Sequence, residues 1–484
     1  MSNVEKIPLD ATVQRRNLIL FAACTGLQYL AAPVLYVGIT QASLCKQLGA
    51  SAAVANLPAT FFFALTVMPA IVAWLFPRVS QLKPLLSFCY AANAVVMALI
   101  ALALTSGLPN YIKIVLIILQ GGICGATIPT AIALLWEIVG RGADESKRGL
   151  ALGLAFGAGP MLAVIGSLGQ TALLGGTVFW EMKGFDFPNG YTWLFALGAP
   201  CIGVAAILSY FFVIPITEKE PKRGPLSSVW DLLLGLLLAV AALGLFLLGS
   251  DWSDPSTARA GDGTSQTAIQ VAGYGLLALA TFFVARHFRD VLSSRLILIA
   301  TVVTVLIYTG NTIPSNMNLY SEEALGDIPQ KYAGVQNALR FGFKMVAGAL
   351  LGWMLTRTHP KAGLIMTACI FVVAQFWAIG AVGQIYLVAF GIYGAGELVG
   401  VYAPNYMLSA TPKRKIRRTM ALVTMLMVPA APAGFLFGSI VDKFQESLGR
   451  ANAFRLSFGI CAGIMIVGII LAMTLLPKNP SVEE

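Results

Sequence analysis

The 484-residue chain is 57% hydrophobic and 11% charged, where soluble domains carry about 25% charged residues, so a water-soluble globular fold is excluded. A formal net charge of +10 would suit nucleic acid if it formed a patch. The basic residues instead fall on alternate loops between long apolar stretches, which points to a lipid bilayer as solvent and to no nucleic-acid partner.

Fourteen apolar stretches follow one another near 17–44, 52–76, 85–106, 111–138, 149–178, 191–215, 228–250, 268–285, 296–319, 332–355, 361–380, 382–408, 419–441 and 453–476. Most reach the roughly 20 residues that a helix needs to cross the hydrocarbon core. Backbone groups in lipid must be satisfied within the segment, so the stretches predict helices. The predicted fold is an all-α polytopic membrane protein with 14 transmembrane helices.

Six stretches precede a charged Pro/Gly-containing linker at 217–227 (TEKEPKRGPLS), two flank the polar loop 250–266, and six follow. The expected organisation is an N-terminal six-helix bundle over 1–216, a cytoplasmic linker plus inserted two-helix hairpin over 217–292, and a C-terminal six-helix bundle over 293–484. Loops on the side of the N-terminus hold 22 Lys and Arg, among them Arg15, Arg16, Arg78, Arg141, Arg223, Arg289 and the run Lys413–Arg418. The opposite side holds 7, including Lys46, Lys183 and Lys331. The positive-inside rule then puts both termini in the cytoplasm, in the inner (cytoplasmic) membrane of the cell. The first sixteen residues are polar and the first stretch is too long for a signal-peptide core, so no cleavable signal is expected. The seven cysteines lie in or beside helices without a CxxC and read as packing residues.

Two segments look like a repeat. Gly121-Gly122-Ile123-Cys124-Gly125-Ala126 on the fourth stretch precedes the charged loop 141–148, and Gly391-Ile392-Tyr393-Gly394-Ala395-Gly396 on the twelfth precedes the basic loop 413–418. Internal repeats packed about a central site are a mark of secondary transporters. Together with the 6+2+6 layout, the glycine-rich fifth stretch with its Gly159-Pro160, and the seventh stretch ending in Gly249-Ser250-Asp251-Trp252, these segments resemble the major facilitator superfamily, and within it the fourteen-helix drug–proton antiporter group. The loop 77–84 departs from that group in having no acid and no glycine, and Ile117 stands where the group carries an arginine.

The resemblance implies a cavity between the first and fourth helices of each half. Polar residues are concentrated on those helices: Gln28, Tyr29, Tyr36 and Gln41; Gln120 and Trp136; Tyr308, Asn311 and Asn316; Tyr393 and Asn405. Deep charges stand out more, because each costs about 2.5–3.5 kcal/mol at mid-membrane. Glu397 lies among glycines on the twelfth stretch, and Arg340 and Lys344 are one turn apart on the tenth, sharing a face. They are the candidate substrate and coupling residues, because a buried carboxylate near cations can exchange a proton as its surroundings change. Glu137 with Arg141, one turn apart at the cytoplasmic end of the fourth stretch, and Gly159-Pro160 are candidate gating residues.

No P-loop, zinc spacing or Ser/His/Asp grouping occurs, so neither an enzyme, a metal nor a cofactor is expected. The expected function is secondary active transport of a small solute by alternating access, coupled to protons, with export by antiport as the resemblance implies and a monomer as the working unit. The alternatives are an anionic-solute carrier, read from Arg340 and Lys344, and a membrane receptor or assembly factor that moves nothing.

Overall fold

The structure, a computed structural model, describes residues 10–143, 158–177, 181–214, 225–249, 263–355, 357–412 and 415–480. The basic residues Lys147 and Arg148, the glycines Gly149, Gly153 and Gly157, the linker up to 224, most of the 250–266 loop, and Lys413 and Arg414 lie outside the described residues. What is described is nearly all helical. The exception is a short ribbon in which Gly176–Thr177 pairs antiparallel with Glu181–Met182.

Eleven helices among the described residues are long and apolar enough to cross a membrane, so the chain is an integral membrane protein. Their outer faces show why. Leu82–Thr105 turns Leu86, Tyr90, Met97 and Ile100 into the bundle and leaves Phe88, Val95, Leu99 and Leu102 on its surface. Both faces are apolar, as a helix between protein and lipid requires.

Three helical segments fall outside that count. The first stretch runs as Ala11–Leu30, Ala32–Leu35 and Ile39–Gln47. It breaks at 36–38, beyond Pro33, where Gly38 takes φ 144°. The freed backbone finds partners inside the bundle: Gln41 and Gln120 both donate to the Val34 carbonyl, at 2.9 and 2.8 Å, and the Gly38 N–H donates to Gln41. Gly159–Leu174 is short as described, and Gln330–Leu355 carries Lys331, Arg340 and Lys344.

The two glycine segments do equivalent work. A Cβ at Gly125 would run into the backbone of Phe62, and one at Gly394 into the backbone of Arg340. In each half the fourth helix (Asn110–Gly142; Val388–Gly396 with Val399–Ser409) thus closes onto the second (Ala52–Leu75; Gln330–Leu355) through glycine. The shared packing accounts for the sequence similarity.

Trp230–Leu248 and Gly263–His287 pack on each other and lean on the C-terminal half, where Phe246 stacks on Phe435 at 4.7 Å. Arg418 donates to Asp290 at 2.7 Å just past the second helix of this hairpin.

The two halves meet tightly at the end that carries loops 48–51 and 326–329. Asp442 accepts from the N–H groups of Ala52 and Ala53 at 2.9 and 2.8 Å, capping a helix of the other half. Asn56 donates to Asn316 at 2.6 Å, and Gln330 donates to the Leu174 carbonyl at 3.1 Å. Asn337 donates to Gln170 at 3.0 Å, and Gln170 donates to Thr40 at 3.0 Å. Gly438 lies so close to Ala52 and Ala53 that a Cβ would meet their backbone.

Candidate substrate cavity

Below that closed end a cavity of about 600 Å³ lies between the halves. Its N-terminal wall is Tyr29, Tyr36 and Val37 from the first helix, Phe62 and Phe63 from the second, and Ile128, Ile132, Ala133 and Trp136 from the fourth. The opposite wall is Asn311, Arg340, Phe341, Lys344 and Glu397, with Met420 and Thr424 from Ile416–Thr424. All the charge is on the C-terminal side, and the N-terminal side is aromatic and aliphatic.

The charges form one cluster. Arg340 grips Glu397 with two bonds, Nε to Oε2 at 2.9 Å and Nη2 to Oε1. This fork geometry fixes both side chains. Lys344 reaches the same Oε2 at 3.5 Å, beyond the usual hydrogen-bond distance. Side-chain exposure separates the two cations: Arg340 is 9% exposed and Glu397 10%, but Lys344 is 30%. The Arg340 guanidinium also stands 5.5 Å from the ring centres of Phe341 and Tyr393. Its Nη1 meets no hydrogen-bond partner among the described residues. Arg340 and Glu397 therefore neutralise each other, and Lys344 carries the surplus positive charge towards the cavity.

Other sequence candidates are distributed unevenly. Tyr29 and Asn311 line the cavity. Tyr393 lies behind it, donating to the Asn311 carbonyl at 3.1 Å under Arg340. Gln28 donates to Tyr36 at 2.7 Å and faces a smaller adjoining space of about 60 Å³. Gln120 is not in the cavity wall; it serves the break in the first helix. Asn316 is also off the wall, held by Asn56 and Ser457 where the halves meet. Tyr308 is buried and Asn405 half-buried, both away from the cavity. Polarity on these helices drew them into the expected site, but the Gln120 and Asn316 amides bond to neighbouring helices instead.

The gating candidates have local roles in this conformation. Arg141 pairs with Glu137 at 3.0 Å within one helix, both well exposed, without bridging the halves. A Cβ at Gly159 would collide with the ring of Tyr29, so this glycine leaves room for a cavity residue. Pro160 is the second residue of the helix as described, Gly159–Leu174; it is buried and follows Ala158, which is itself helical, and the residues before Ala158 lie outside those described.

Sequence reasoning missed Phe62, Phe63, Phe341, Met420 and Thr424. A signal for Phe62 did exist: the Gly121/Gly125 spacing marks the close approach that brings the second helix to the cavity.

No protein-family model matches the chain, and no curated protein does. Its fold is similar to that of solved transporters. The xylose transporter XylE from E. coli, in a partially occluded inward open conformation, superposes with a TM-score of 0.60 at 13% identity, covering 98% of this chain and 100% of that one. A mutant form of the nucleoside transporter NupG gives 0.61 at 12% identity, covering 95% and 100%. The POT family transporter PepTSo gives 0.62 at 15% identity, covering 95% and 97%. The chain thus shares its overall fold with these solved transporters. The likeness is to that general architecture and does not single out the fourteen-helix drug–proton antiporter group.

Proposed function

We propose that this protein is a secondary active transporter that moves a small solute by alternating access, with 14 transmembrane helices arranged as two six-helix halves and an inserted pair. The observation that carries the reading is the cavity: it draws its walls from both halves, holds a buried charge cluster, and is sealed at one end by contacts between the halves. A site of that kind needs only a rocking motion to exchange which end is sealed. The positive-inside count makes the sealed end external, so the described conformation faces the cytoplasm.

Coupling is to protons through Glu397. Its carboxylate is the shared counter-ion of Arg340 and Lys344, so adding a proton there changes the charge balance of the whole cluster and weakens the contact between the two helices that carry it. The position of that contact, at the base of the cavity, lets solute binding and proton binding act on the same two helices.

The test is purified protein in proteoliposomes enclosing a pH-sensitive dye, challenged with organic anions, cations and neutral solutes with and without an imposed proton gradient. Solute-dependent proton movement supports the reading. Solute movement that is indifferent to the gradient refutes proton coupling, and no movement with a panel of proven binders refutes transport and favours a receptor.

A further inference from the structure

Resting on the transporter reading, we infer that the substrate is an organic monoanion, a carboxylate on an apolar or aromatic body, bound with its charge on Lys344 and its body against the N-terminal wall. Three observations converge.

The first is the charge balance. Arg340, Lys344 and Glu397 are the charged residues of the cavity wall, and together they carry one surplus positive charge. A surplus charge beside largely apolar walls is costly, and one negative charge cancels it. A cationic substrate would add to it, and a dianion would overshoot it.

The second is donor capacity. An ammonium group has three donors, yet Lys344 makes one long contact at 3.5 Å. Arg340 keeps Nη1 without an acceptor among the described residues. Both cations sit on one helix face a turn apart, but Nη1 of Arg340 is buried, so the spare donors that face the cavity are those of Lys344. Glu397 is occupied by Arg340, so the acceptor they call for is one that a ligand brings.

The third is the opposite wall. Tyr29, Tyr36, Phe62, Phe63 and Trp136 present ring surface and no charge. Such a wall takes up apolar area at about 25 cal/mol per Å² but gives a sugar-like solute few hydrogen-bond partners. A substrate with its charge on one half and its apolar body on the other links the two halves, so its binding bears on their relative position.

The experiment uses the full-length purified protein and a panel of aryl- and alkyl-monocarboxylates, with the amines and alcohols of the same skeletons, read by calorimetry and by thermal stabilisation. At least one carboxylate should bind ten or more times tighter than its amine and alcohol counterparts. Lys344→Gln should lose at least tenfold in that affinity, and Lys344→Arg should recover most of it, with size-exclusion profiles showing that both variants are folded. Amines or alcohols binding as well as carboxylates, no carboxylate binding at all, or full affinity in folded Lys344→Gln would each overturn the inference. Counterflow in proteoliposomes separates this from the transporter reading. Carboxylates that bind without crossing leave the site assignment standing and refute transport, whereas amines that cross leave transport standing and refute the monoanion.

Discussion

Replacing Glu397 by glutamine sets the charge cluster permanently in the state it has when a proton is bound. The amide has the shape of the protonated acid and keeps one carbonyl to accept from Arg340, but the ionic part of both pairs is lost. In the structure those pairs are the forked Arg340 contact, with its 2.9 Å bond, and the 3.5 Å approach of Lys344. Removing one partner of a buried pair costs about 3–5 kcal/mol. The cavity beside it has room for roughly 20 waters, and Lys344 is already partly wetted, so the cost should fall at the low end and the variant should fold with a lowered melting temperature. Transport separates more sharply. One pH unit is 1.36 kcal/mol, so one proton per solute drives about tenfold accumulation per unit of gradient. Wild-type proteoliposomes should approach that ratio. Glu397→Gln should stop at equal concentrations while still exchanging labelled for unlabelled solute. Tenfold accumulation by a folded Glu397→Gln protein would remove this residue from the coupling step, and coupling to another ion would become the better account.

The remaining predictions probe topology, the sealed end and the cavity wall. Reporter fusions at Ser227 and Thr264 should report opposite sides of the membrane, and the same side for both would refute an inserted helix pair. Asp442→Asn leaves one of the two N–H groups of Ala52 and Ala53 without its carboxylate partner, a loss of about 1.5–3 kcal/mol. Spin labels at Tyr111 and Glu446 should then show a longer distance component; an unchanged distribution would mean that this cap does not hold the halves together. Gly159→Ala should displace Tyr29 at an overpacking cost of about 1–3 kcal/mol and weaken solute binding, whereas Pro160→Ala should transport normally. The reverse pattern in transport assays would favour a hinge at Pro160 over a packing role for Gly159.

Helix positions were legible because the bilayer imposes a length: the stretch predicted at 361–380 is the helix Pro360–Gly380, and that at 453–476 is Arg450–Leu475. Interruptions were less so. The first helix breaks at 36–38, where Gly38 and two glutamines from different helices share the backbone bonds, and that arrangement is visible only once the helices are packed. The charge cluster was legible because Arg340, Lys344 and Glu397 are too costly in lipid to be incidental. Its apolar counterpart was not, because lipid-facing, bundle-facing and cavity-facing residues are all hydrophobic here; Phe62 in the cavity wall and Phe88 on the outer surface look alike in sequence. Single amides misled for the opposite reason: Gln120 and Asn316 are polar because helices need partners for their backbone and for each other.

The division of labour between the halves also bears on the sense of coupling. Around Glu397 stand Arg340 and Lys344 on the neighbouring helix, Tyr393 one turn back on its own helix, and Tyr29 and Tyr36 across the cavity. A substrate anion at Lys344 brings a second negative charge beside that carboxylate, and a like charge favours the protonated form. By reciprocity a proton on Glu397 favours the anion by the same factor, so under the proposed coupling the two should load together and leave together. A cation would compete with the proton and give antiport, the sense that resemblance to the drug–proton antiporters implies. The dye in the proteoliposomes reads the difference directly: for a monoanion, inward solute movement should acidify the lumen. A lumen that turns alkaline as the anion enters would show that proton and substrate exclude each other, and the charge cluster would then have to be separated from the coupling step.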